Sequence, residues 1–545
     1  LPVIPTPPAG RAGPWSSASF PCRFGRDETG SVLVFGLLLF SLFLVLVGIA
    51  LDVIRFETER TRAQYTLDRA VLAAADISQT TPAQDVVDDY FAKAGLSRFD
   101  PTAVQTQGTY NEWKKVEGRL EVSTDTMFMR LTGVDTLQSA AAATAEERIG
   151  NVEISMVLDV SGSMDSYAYN PNGTRAGTKI SLLRSGASDF VETMFTNVTG
   201  AGTAQGKLSI SVVPYHQQVQ LTSGFAGYFN LSSEHSQSYC ADFFSADYTT
   251  TSITRTQALP RTAHADVRSS SSQRTPSFRE CFTYSYATLL PFSSNKATIK
   301  SKISALEAEG DTAIDIGAKW GLALLDPAAR PILSSMITNG AADNALSGRP
   351  FDWDYEDTMK IMVLMTDGEN TNTYALLSPY RSGNSPMWWY KSGNTRYYFY
   401  YKDRSGTDYD YYYWNTSNNR GYWYRERDLG NLTRLTWQEL WDVYSVKWWG
   451  NYYYDNVESG ADFEDIAVAH ANNTTKDSRL KTVCDAAKAK GVLIFAIAYE
   501  ATDNGEDALK DCVSADSYYY DAQGSTIAEA FAGIANAINM LRLTQ

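Results

Sequence analysis

Ser155-Met156-Val157-Leu158 runs directly into Asp159-Val160-Ser161-Gly162-Ser163, so that a compact apolar segment ends in a loop carrying one carboxylate and two hydroxyls. A short apolar run bounded in this way reads as a strand buried on both faces, the kind found in parallel sheets. The sequence around it supports that reading. Ile180, Leu183, Ala187, Phe190 and Met194 recur at helical spacing, and Leu208, Ile210 and Val212 alternate as a strand. Ala313–Leu325 and Cys484–Lys490 read as helices, and Lys360–Met365 and Val492–Tyr499 as two further buried strands. The last helix places Ile527, Phe531, Ile534, Ile538 and Leu541 on one face behind Thr526-x-x-Glu529, which has the form of a capping box. Buried strands alternating with amphipathic helices predict an α/β fold with a doubly wound, mostly parallel sheet over residues 151–545.

Two insertions interrupt the pattern. The first, about 216–294, is rich in Ser and Thr and contains Cys240 and Cys281. The second, about 371–475, is dense in aromatic residues, among them Trp388, Trp389, Tyr390, Tyr397, Tyr398, Phe399, Tyr400 and Tyr401. These rings have two compatible readings, as packing for a small sheet within the insertion and as contact surface for proteins or glycans.

Three short segments stand at the ends of sheet elements: Asp159 to Ser163, Gly310-Asp311-Thr312 before a helix, and Thr366-Asp367-Gly368 after a strand. Loops beyond the carboxyl ends of strands converge in an open α/β sheet. Asp159, Ser161, Ser163, Thr312 and Asp367 together offer only oxygen donors, a hard-cation set suited to Mg²⁺, with Mn²⁺ or Ca²⁺ as alternatives. The same pentapeptide could be a mere turn. Catalytic readings are weaker. No Gly-x-Ser-x-Gly elbow or Walker-type loop occurs, and no His stands near the three segments in sequence, so no enzyme is expected.

The chain has 545 residues, a formal net charge of -15, five cysteines and four histidines. That charge argues against a nucleic-acid partner. The length calls for more than one domain. Residues 1–30 begin with a Pro-, Ala-, Gly- and Ser-rich stretch expected to be disordered. Ser31–Leu51 is an uncharged apolar run of the length that spans a bilayer as a helix. A cleaved signal peptide is the alternative, but charged helix follows the run where a cleavage site should stand, so a retained anchor is expected. Arginines on both sides leave the positive-inside rule indecisive. Residues 52–150 read as a continuation of the helix, with an Arg55/Glu59 ion pair and a Leu67, Val71, Ala74 stripe, then a small α+β module. Cys22 precedes the apolar run, whereas Cys240, Cys281, Cys484 and Cys512 follow it. Sequence order favours Cys240–Cys281 and Cys484–Cys512 disulfides in an oxidising compartment, with four free buried thiols as the alternative.

The Asp159-x-Ser161-x-Ser163 pattern with Thr312 and Asp367 resembles the metal-ion-dependent adhesion site of von Willebrand A domains. The resemblance implies that Ser161 and Ser163 ligate the metal, Thr312 directly or through water, while Asp159 and Asp367 act mainly through waters and hydrogen bonds. It also implies that an acidic group of a protein partner completes the coordination shell. The N-terminal segments Arg26–Gly30, Asp52–Arg60 and Thr66–Ala75, with Trp320–Pro327 and Asn539–Thr544 further on, resemble the TadG-like family of Flp pilus-assembly proteins. That resemblance implies a single-pass bacterial inner-membrane anchor, an exported C-terminal domain in the periplasm or outside the cell, and a role in a type IVb pilus. The pilins of such systems are cut after a Gly and carry Glu five residues later. Counting from Gly30, Phe35 holds that place, which again favours a retained anchor. The expected function is a membrane-anchored, metal-dependent adhesion or assembly factor. The alternatives are a structural pilus component with a non-functional metal site and a surface adhesin unrelated to pili.

Overall fold

The computed structural model describes residues 29–76, 79–107, 113–148, 150–199, 206–355 and 357–544. Cys22, and the segment expected to be disordered up to residue 28, lie outside them. The chain divides into two compact units, residues 1–108 with 113–148, and residues 109–112 with 149–545.

In the first unit one unbroken helix, α1 (Thr29–Ala75), contains the apolar run and its charged continuation. Over Ser31–Ala75 it is long and apolar enough to cross a membrane, and its apolar stretch is almost wholly exposed. Helix α2 (Ala83–Lys93) and the antiparallel strands β1 (Thr102–Gln107), β2 (Trp113–Asp125) and β3 (Thr136–Arg148) complete the unit. The stripe Leu67, Val71 and Ala74 is buried against Val87, Phe91, Val116 and Leu120. Helix and strand meet at Gly118, where a Cβ would lie 2.5 Å from the Val71 side chain. The expected Arg55/Glu59 pair is replaced. Glu59 binds Arg98 at 2.7 Å and accepts the Thr124 hydroxyl at 2.8 Å, while Arg60 pairs with Glu57 at 2.9 Å. Packed neighbours on that face of α1 outcompete the helical one, and Arg55 is exposed.

The second unit is mixed α/β. Its largest sheet comprises β4 (Asn151–Asp159), β5 (Leu208–Tyr215), β6 (Leu290–Ser293), β7 (Thr358–Thr366), β8 (Leu493–Tyr499) and β9 (Tyr519–Ala522), in the order β6-β5-β4-β7-β8-β9. Neighbours from β5 to β9 are parallel, and β6 joins β5 antiparallel. The sheet is therefore mixed, which qualifies the expected mostly parallel one, and separate antiparallel sheets accompany it. Along β4 the side chains alternate. Ile154, Met156 and Leu158 join a core with helices α3 (Lys179–Thr199) and α6 (Ile527–Thr544). Val157 joins the opposite core with α4 (Ile314–Ala323) and α5 (Asn473–Ala489). Both faces are thus covered, and this is why β4 is apolar at successive positions. At α6 the Thr526 hydroxyl bonds back to the Gln523 backbone instead of forming the expected box with Glu529.

The first insertion has only short elements and shares the core beside α4 through Leu221, Phe225, Phe243 and Tyr248. The Cys240–Cys281 disulfide, Cα atoms 5.8 Å apart, ties it together. The second insertion leaves and returns through the antiparallel pair Thr373–Leu376 and Val468–Ala471. It holds a five-stranded antiparallel sheet. Met387, Tyr400 and Tyr412 pack inward on Trp437, Trp441 and Trp449, whereas Tyr401, Tyr409 and Tyr422 stay exposed. A Cys484–Cys512 disulfide, Cα atoms 5.1 Å apart, links α5 to the chain beyond Asp503–Lys510.

Candidate metal centre

Asp159 is the last residue of β4, and Asp367 follows Thr366 at the end of β7. Because β4 and β7 are parallel neighbours with Leu158 opposite Met365, the two carboxylates emerge side by side at the carboxyl edge. The Gly310–Thr312 loop is stitched to the Asp159–Ser163 loop by backbone hydrogen bonds: Gly162 N donates to Gly310 O at 2.9 Å and Glu309 N to Val160 O at 2.9 Å. Gly310 is required there. Its φ is +85°, and a Cβ would meet the Gln217 side chain at 2.2 Å and the Phe282 ring at 2.8 Å.

Four of the five residues form one hydrogen-bonded chain. Ser161 N donates to Asp159 Oδ1 at 2.8 Å, the Ser161 and Ser163 hydroxyls are 3.0 Å apart, and Ser163 Oγ donates to Asp367 Oδ1 at 2.6 Å. Asp159 Oδ2 also accepts the Thr366 hydroxyl at 2.7 Å. Asp159, Ser161 and Asp367 are buried, and Ser163 is exposed at the opening to solvent. Burial, and then the Asp367 charge, push the Asp159 carboxyl up to about 7 against hydrogen bonds that favour its charged form.

Thr312 is buried nearby, held by its backbone. Its N–H donates to Thr371 Oγ1 at 3.1 Å, and its carbonyl accepts Thr371 N at 3.0 Å and Lys476 Nζ at 3.1 Å. No hydrogen bond among the described residues joins its hydroxyl to the other four. Asp311, its neighbour, pairs with Arg268 from the first insertion.

Several residues that the motif does not announce shape the site. Lys179, at the start of α3, places Nζ 3.0 Å from Asp367 Oδ2 and 3.9 Å from Glu500 Oε2. Tyr215, at the end of β5, donates to Met365 O at 2.9 Å and reaches Asp159 Oδ2 at 3.5 Å. Thr366, already quoted beside Asp367, was legible as a hydroxyl within the motif. Lys179 and Tyr215 carried no local signal, because only strand order brings them here. Strand order also brings a histidine nearer than the sequence suggested: His216 follows Tyr215. Its ring packs on Phe282 with centroids 4.5 Å apart, burial pushes its pKa down to about 3, and no hydrogen bond among the described residues links it to Ser161 or Ser163.

The donor set fits a small hard cation. No group of three or more His, Cys, Asp or Glu side chains placed to hold a metal occurs among the described residues. Any cation here would rest on hydroxyls, two carboxylates and water, a set suited to Mg²⁺ rather than to zinc.

No curated protein sequence matches the chain. Among solved structures, the vWF domain of the type V pili tip protein Mfa5 from Porphyromonas gingivalis is 16% identical, covering 72% of this chain and 97% of its own, with a TM-score of 0.30. The PilB minor pilin from Streptococcus sanguinis is 13% identical, covering 81% and 78%, with a TM-score of 0.30. Proximal thread matrix protein 1 from the mussel byssus is 11% identical, covering 72% and 46%, with a TM-score of 0.24. Scores this low do not bear on function. Residues 30–76, which contain nearly all of α1, match the model of the putative Flp pilus-assembly TadE/G-like family.

Proposed function

We propose that the chain is a membrane-anchored, metal-dependent protein-binding factor of a Tad/Flp type IVb pilus system. In this reading a von Willebrand A-type domain, doubly wound around the mostly parallel sheet, follows residue 150. The anchor lies in the bacterial inner membrane, and the domain stands in the periplasm or outside the cell. The match of residues 30–76 supports the pilus context. The Cys240–Cys281 and Cys484–Cys512 disulfides suit an oxidising compartment.

The observation that carries the metal-dependent part is the convergence of the Ser161 and Ser163 hydroxyls with the Asp159 and Asp367 carboxylates at one carboxyl edge. Ser161 and Ser163 would hold Mg²⁺, or Mn²⁺ or Ca²⁺. Asp159 and Asp367 would orient those hydroxyls and bound water, with Thr312 close by. The cation supplies a Lewis-acid point at which an acidic side chain of a protein partner docks. Ser163 alone among the five is exposed, which sets the side from which the partner approaches. The proposed activity is binding without catalysis: no hydrogen bond among the described residues joins His216 to Ser161 or Ser163 as a base would require.

Lys179 favours a second reading. Its ammonium already neutralises Asp367 at 3.0 Å, so the domain could be a scaffold in which a lysine does the work of the metal. Magnesium titration by calorimetry separates the two. The proposal expects binding heat from the wild type and none from Asp159→Ala; no heat from either refutes it. Capture of pilus-system proteins from membranes should likewise be lost with EDTA and restored by Mg²⁺.

A further inference from the structure

The turn between β2 and β3 is apolar where a solvent-facing hairpin turn is normally polar. It reads Met127-Phe128-Met129-Arg130-Leu131-Thr132-Gly133-Val134. Met127 is 65% exposed, Leu131 78%, Phe128 40% and Val134 38%. Four large apolar side chains on one tip need a cover.

The tip is held in a fixed place on α1. Asp52, the first charged residue after the apolar run, accepts the N–H groups of Met127 at 3.0 Å, Phe128 at 2.7 Å and Met129 at 2.8 Å. Phe128 lies over Gly48, where a Cβ would come within 2.5 Å of the ring, so only glycine lets it seat there. Below this point β2 runs back along the helix, with Thr124 on Glu59 and Gly118 under Leu67 and Val71. The hairpin tip is therefore level with the last turn of the run Ser31–Leu51, where a spanning helix leaves the hydrocarbon. Arg55, one turn beyond Asp52, is an exposed cation at the height of lipid headgroups, as is Arg130, whose side chain is 74% exposed and also pairs with Asp135 at 3.3 Å.

We infer that Met127–Val134 is a second membrane contact, its apolar side chains inserted in the lipid interface beside the point where α1 emerges. The occupant is the bilayer because the exposed apolar tip is continuous with the apolar surface of α1. Such a contact would hold the hairpin against the membrane and restrict swivelling of the first unit about a single helix. The inference rests on the membrane-anchor reading of α1, and its test keeps the two apart.

The full chain carrying Cys22→Ser, so that introduced thiols are the ones labelled, is reconstituted in phosphatidylethanolamine/phosphatidylglycerol vesicles. Nitroxide labels are placed singly at Phe40→Cys in the apolar run, Leu131→Cys at the tip, and Val104→Cys on β1. Val104 is 62% exposed and pairs with Glu117, well down the hairpin from the tip. Accessibility to oxygen and to a water-soluble nickel chelate is read by electron paramagnetic resonance. The label at 131 should show an oxygen-to-nickel ratio several-fold above that at 104 and below that at 40. A label at 131 as water-exposed as that at 104, with 40 still deep, overturns the inference and leaves the anchor standing. Aqueous values at 40 as well overturn both. Shielding of 131 from both reagents with dipolar broadening means that a second copy covers the tip, and also overturns the lipid assignment. Leu131 is highly exposed, so none of these outcomes depends on a core substitution.

Discussion

Replacing Asp159 by Asn should change how stability depends on pH. Asp159 is fully buried, and burial together with the Asp367 charge raises its carboxyl from 3.8 to about 7. Between those values the folded protein keeps a proton that the unfolded chain has released, so stability falls as pH rises. The contribution is fully present below 3.8 and lost as pH passes through about 7. At about 1.4 kcal/mol per pH unit the span is worth about 4 kcal/mol. With about 2.1 cal/mol/K per residue over a unit of roughly 400 residues, that corresponds to a change in Tm of about 5 °C. Asn retains the shape and accepts the Ser161 N–H but does not titrate. Thermal melts of both proteins in EDTA from pH 4.5 to 8 sample about 2.5 pH units of that span and should therefore show the wild type losing about 4 °C relative to the variant as pH rises. Other buried carboxylates, Glu280 among them, are common to both and drop out of the difference. Magnesium reverses the trend, because a divalent cation beside two carboxylates favours their charged forms. The Mg²⁺ increment in wild-type Tm should be small at pH 5, grow toward pH 8, and be absent in Asp159→Asn. Parallel curves for the two proteins in EDTA would refute the reasoning, since they would show that Asp159 does not titrate in this range.

Three further outcomes follow from the packing. Gly321→Ala puts a Cβ 2.5 Å from Val157 in the interface between α4 and β4; overpacking should cost about 1–3 kcal/mol, read as a lower Tm with unchanged Mg²⁺ stoichiometry. Glu153→Ala removes the carboxylate that holds Arg349 at 3.0 Å and Lys360 at 2.5 Å, all three buried; leaving two cations uncompensated should cost about 3–5 kcal/mol in denaturant unfolding. The Cys484→Ala/Cys512→Ala double variant opens a loop with a sequence separation of 28 and should lose about 3–4 kcal/mol. Added reductant should shift the melting of the wild type and leave the double variant less affected.

Periodicity located four of the six strands of the main sheet and the helices that cover it, because an element buried on one or both faces must repeat its apolar side chains at its own geometric period, but it did not locate Leu290–Ser293 or Tyr519–Ala522. The apolar run 31–51 and its charged continuation were legible for the same reason, as were the two disulfides, each closing a local loop. The five candidate ligands were visible because a hard-cation site needs oxygen donors on loops, and these stood at the ends of predicted strands. Other features are set by what lies across the fold. The partner of Glu59 is Arg98, not Arg55, because packing and not helical spacing decides which charges meet. Lys179 and Tyr215 reach the two carboxylates only through the strand order β5-β4-β7 and the position of α3. The edge strands β6 and β9 are too short to show a period, so pairing alone reveals them, and the aromatic insertion suggested a small sheet without giving its five strands or their order. Sequence by itself determined most of the long elements and which oxygens are on offer, since both depend on local residue type. Tertiary structure decided which charges neutralise one another and where the Met127–Val134 tip lies, since both depend on neighbours far away in the chain.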